Sequence, residues 1–129
     1  YVYKGVRILG LGGSMRYKPG SYQYTEWEMK KRIRKLWFKL LRRKGFDILV
    51  THAPAYQLND GRDLPHQGFR SFIKLMEKYK PRIFLHGHVH LSYARGHKRY
   101  DKYQDTHVIN AYERCIFDYE DEHLEEHVH

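Results

Sequence analysis

Two short apolar runs of this chain lead directly into histidines, a pattern that few folds can accommodate twice. FDILVTHAP puts His52 just beyond one candidate strand, and RIFLHGHVH puts His86, His88 and His90 just beyond the next. Between them, residues 68–80 set Phe69, Phe72, Ile73, Met76 and Tyr79 on one helical face, and Pro81 stops the pattern. Further apolar runs at Val6–Leu11, Thr106–Asn110 and 115–119 read as strands. Residues 25–44 read as one helix, opened by a Thr25 to Glu28 capping box and ended near Gly45. Strand, helix, strand, helix, strand is the order of an α/β sheet, which binds its ligands beyond the strand ends. The histidines are therefore expected to meet at one place. The polar, turn-rich stretch 53–67 follows a strand there and is expected to form a binding loop.

In an extended segment, residues two apart face the same way at about 6.5 to 7 Å, so His88 and His90 can reach one metal or two neighbouring ones. Gly87 lets the backbone turn tightly at the strand end. His52 alone would read as a solvent-facing side chain; with His88 and His90 it points to a metal site, because imidazole is a common ligand for borderline metals. His86, His97 and His107 carry no assigned role. His123, His127 and His129 fall in the acidic tail EDEHLEEHVH at residues 120–129, which is expected to fray beyond a domain covering 1–119.

The sequence has 129 residues, 41% of them hydrophobic and 16% aromatic, which suits one compact domain with a core and excludes a disordered or collagen-like class. No apolar run approaches the roughly 18 to 20 residues that span a bilayer and no signal peptide opens the sequence, so no membrane partner is expected. The single Cys115 suits a reducing compartment, which favours the cytoplasm. The opening YVYKGVRILGLGG reads as core strand without a lead-in, as though the sequence began within a domain.

The net charge of +9 raises the question of a nucleic-acid partner. Its distribution answers part of that question. Residues 30–44 hold nine Lys or Arg and no acidic residue, while the other fifteen basic residues are balanced by fifteen acidic ones. The excess belongs to one helix, whose apolar face is Met29, Ile33, Leu36, Trp37, Leu40 and Leu41, with Phe38 out of phase. A basic solvated face is the plain reading. Phosphate attraction, a nucleic-acid contact or a membrane-surface contact is the functional one, with a nucleotide or nucleic acid as the partner.

THAP at 51–54 and GHVH at 87–90, with the opening LGLGGS, QYTEWEM and VINAYE around them, resemble the calcineurin-like metallophosphoesterases over nearly the whole chain up to residue 119. The resemblance implies a four-layer α/β/β/α sandwich, of which this chain supplies about one sheet and its helices. It also implies a phosphate-ester substrate and two divalent ions of manganese, iron or zinc. His52 and His88 would bind one ion and His90 the other, with Asp60 and His66 on the substrate side of the cleft. The family's other motifs, Asp-x-His, Gly-Asp-x-x-Asp and a Gly-Asn-His that carries the general-acid histidine, do not precede these segments here. The chain is therefore expected to be the C-terminal portion of such a domain and inactive alone. The alternative is a non-catalytic scaffold or basic nucleic-acid module of the same descent.

Overall fold

The computed structural model describes residues 1–16, 23–56, 58, 68–87, 99–112, 115 and 117–127. Among the described residues, eight strands and four helices follow one another as β1 (Val2–Tyr3), β2 (Val6–Leu11), β3 (Ser14–Met15), β4 (Gln23–Tyr24), α1 (Glu26–Lys35), α2 (Trp37–Arg42), β5 (Ile48–Thr51), α3 (Arg70–Tyr79), β6 (Ile83–His86), β7 (Tyr100–Tyr103), β8 (Thr106–Asn110) and α4 (Leu124–His127). Six strands form one sheet in the order β1-β2-β5-β6-β8-β7, and β3 pairs with β4 separately. The central strands β2, β5, β6 and β8 are parallel, so their C-terminal ends lie on one rim. β1 and β7 run antiparallel at the two edges.

The period-2 alternation of the strands divides the core in two. One face carries Leu9, Leu11, Leu49, Phe84 and Val108 and packs against Met29 and Leu40 of the first two helices and Phe72, Leu75 and Met76 of α3. The other carries Ile48, Ile83, Leu85 and Ile109 and is covered by Cys115, Phe117, Tyr119 and Leu124. The described residues of the expected strand at 115–119 form no strand; Cys115, Phe117 and Tyr119 lie across this second face. The tail is also better held than its charge suggests. Leu124 is fully buried, and the Arg82 guanidinium donates to the carbonyls of Tyr119 at 2.9 Å and Asp121 at 2.7 Å.

The single expected helix over 25–44 is two. Its start is as read: Thr25 Oγ1 accepts from the Glu28 amide, and the Glu28 carboxylate accepts from the Thr25 amide. At Leu36 the turn tightens, its N–H donating to Ile33 O at 3.0 Å, and α2 restarts with a shifted phase. Leu40 remains buried while Trp37 and Leu41, read as packing residues, are 58% and 65% exposed. α3 lacks a side-chain cap of its own. Glu26 of α1 supplies one, accepting from the Ser71 amide at 3.2 Å and the Ser71 hydroxyl at 2.8 Å, and it also takes the Arg70 amide.

Candidate metal centre

β5 and β6 are hydrogen-bonded neighbours, so the first residues beyond them, His52 and Gly87, lie side by side. Past β5 the chain bends at His52, which is exposed between buried Thr51 and buried Ala53. The Thr51 hydroxyl donates to the Ala53 carbonyl across the bend. The His52 carbonyl in turn accepts the Gly87 N–H at 2.9 Å, setting the first residue beyond β6 against the first beyond β5. The Ala111 N–H donates to the His86 carbonyl at 2.7 Å, which adds the end of β8 to the same rim. The residue after Gly87 is His88. His88 and His90 lie outside the described residues, as do Asp60 and His66.

The described residues on either side of the stretch that holds Asp60 and His66 are tied together, beginning two positions past His52. Ala55 bridges both Leu58 and Phe69, the Phe69 N–H donates to Pro54 O at 3.0 Å, and the Tyr56 N–H donates to Phe69 O at 3.2 Å. Gly68 fits against this base because it lacks a side chain: a Cβ there would stand 2.2 Å from the Ala55 carbonyl group.

His86 belongs to the core. It is 2% exposed, its ring centroid stands 5.6 Å from that of Phe84, and its Nδ1 lies 3.2 Å from Gly87 O. Its Nε2 is buried with no hydrogen-bond partner among the described residues. Burial pushes its pKa down to about 4, so the ring is neutral at pH 7.

Among the described residues no three His, Cys, Asp or Glu side chains gather. Two Asp-x-His triplets do occur later in the chain, Asp105 to His107 and Asp121 to His123. Neither can stand in for the family motif. Asp105 is in the turn between β7 and β8, and the His107 Nδ1 lies 2.8 Å from the Tyr100 hydroxyl. Asp121 is tied through its carbonyl to Arg82, just before β6. Both triplets are thus at the far end of the sheet, roughly 13 Å or more from the His52 rim at strand rise. The described rim offers the imidazole of His52, a donor that suits a divalent transition metal in kind but brings no charge to balance it.

No family model matches the sequence. Over 109 residues it is 35% identical to the probable purple acid phosphatase 20 of Arabidopsis thaliana, covering 77% of this chain and 23% of that protein. The fold is like that of TT1561 of Thermus thermophilus, with a TM-score of 0.50 at 20% identity over 81% of this chain and 42% of that one. The chain therefore spans less than half the length of either protein. Sequence likeness to a phosphatase and a shared α/β fold agree with the segments that leave β5 and β6: the chain belongs to the calcineurin-like metallophosphoesterase superfamily.

Proposed function

We propose that the chain contributes His52, His88 and His90 to a centre of two divalent ions, manganese, iron or zinc, that hydrolyses a phosphomonoester or phosphodiester. The observation that carries this reading is the 2.9 Å hydrogen bond from the Gly87 amide to the His52 carbonyl, which joins the two strand ends that lead into the histidines. His52 and His88 hold one ion and His90 the other. When bound, such a pair of ions supplies hydroxide at neutral pH and stabilises charge on the phosphoryl oxygens. Asp60 and His66 act on the substrate side.

Two ions about 3.5 to 4 Å apart need bridging negative charge, which three neutral imidazoles do not provide. The carboxylates and the general-acid histidine therefore come from residues that this sequence does not contain. The expected outcome with bis-p-nitrophenyl phosphate and manganese is no turnover by the chain alone. Robust turnover, abolished by His88→Ala, would show instead that the chain completes its own centre.

A further inference from the structure

A groove of about 850 Å³ opens between α1, α2 and α3 on the helix layer. Arg70, Lys74 and Lys78 stand four residues apart along α3 and are all exposed. At a rise of 1.5 Å per residue they form a row of cations with one about every 6 Å. Lys30 and Arg34 of α1 form a second row across the groove. The carboxylate that lines it, Glu26, is occupied by the backbone and hydroxyl of α3's first turn. Among the described residues none of these five cations is in an ion pair. Trp27 and Trp37 also line the groove, each 58% exposed, a large apolar area for a surface to leave in water.

Two rows of cations flanking a trough match a linear polyanion. Lys31 Nζ stands 4.0 Å from the Trp27 ring centre, on one face of it; the other face and the Trp37 ring add what an acidic peptide would not use, flat faces on which bases stack. The concave shape disfavours a bilayer, which meets convex surfaces. We propose that this groove binds single-stranded nucleic acid, the cations following the phosphates and Trp27 and Trp37 stacking bases. The site is independent of any metal at the rim.

The test uses the whole chain and a fluorescein-labelled oligothymidylate about 15 nucleotides long, followed by anisotropy. If five phosphates are neutralised, raising salt from about 50 to 200 mM weakens binding on the order of 100-fold. Arg70→Gln, Lys74→Gln and Lys78→Gln together weaken it at least about tenfold. Lys35→Gln, Lys39→Gln and Arg42→Gln, an equal charge change outside the groove, weaken it less than about threefold. Trp27 and Trp37 are the two tryptophans of the sequence, so the oligonucleotide quenches the intrinsic indole fluorescence of the unaltered chain. Absent binding, absent quenching or equal loss in the two triple variants overturns the proposal. So does equal affinity for polyglutamate, which would assign the groove to acidic peptides. Preference for phosphatidylglycerol vesicles would overturn it in favour of a membrane surface.

Discussion

Asp47 stands where β5 begins and takes three hydrogen bonds from Arg7, from Nη2 at 2.9 Å, Nε at 3.1 Å and the backbone amide at 2.8 Å. The Arg7 side chain holds its carboxylate below the usual range, against the opposing effect of burial. A carboxyl with a lowered folded pKa stabilises fully above its unfolded value, near 3.9, and loses that contribution as pH falls through the folded value. The pair is partly exposed, at 33% and 25%, so solvent screens it. Asp47→Asn is expected to cost about 1 to 2 kcal/mol at neutral pH, with the gap to wild type closing in acid below the carboxylate range. Urea denaturation across pH checks this. Gly68→Ala has a different cause, since its Cβ would meet backbone 2.2 Å away in a segment pinned by Pro54 and Phe69. A loss of about 2 kcal/mol or more is expected, visible as a lowered Tm. The position of His52 just beyond β5 is legible because a strand pattern runs straight into it. The Arg7–Asp47 pair is not, because partners 40 positions apart meet only through the β2–β5 register.

At the scale of elements, the strand cores and the Thr25 capping box were readable because their signals are local. The break at Leu36 was hidden, since nothing in RKLWFKLL interrupts a helical pattern. Its effect is to separate residues that the periodicity places together. The periodicity makes packing positions of both Met29, which has no exposed surface, and Leu41, which is 65% exposed. Met29→Ala is expected to cost about 2 to 4 kcal/mol, and Leu41→Gln about 0.5 kcal/mol or less. Chemical denaturation of the two variants checks the contrast. β7 is hidden for another reason: YDKY is an edge strand with one tyrosine and one charged residue on each face, so no apolar alternation marks it.

Across the whole molecule, the α/β order placed the rim correctly, because parallel strands must end together once helices connect them. The cover of the second sheet face was not legible. Leu124 is a lone apolar residue among acidic neighbours, and only the fold shows that it closes over Ile83 and Ile109. Toward the histidine rim that cover thins, and Val50 is 39% exposed on the same face. A centre shared with residues outside this sequence fits that arrangement. It is tested most directly by zinc titration against a chromophoric chelator. The background carries His123→Ala, His127→Ala and His129→Ala, so that the tail contributes no chelation. Micromolar or weaker binding is expected, reduced at least about tenfold by each of His52→Ala, His88→Ala and His90→Ala. His107→Ala, at the far end of the sheet, is expected to leave it unchanged. Equal zinc affinity in the parent and all three rim variants would contradict a metal centre at the ends of β5 and β6.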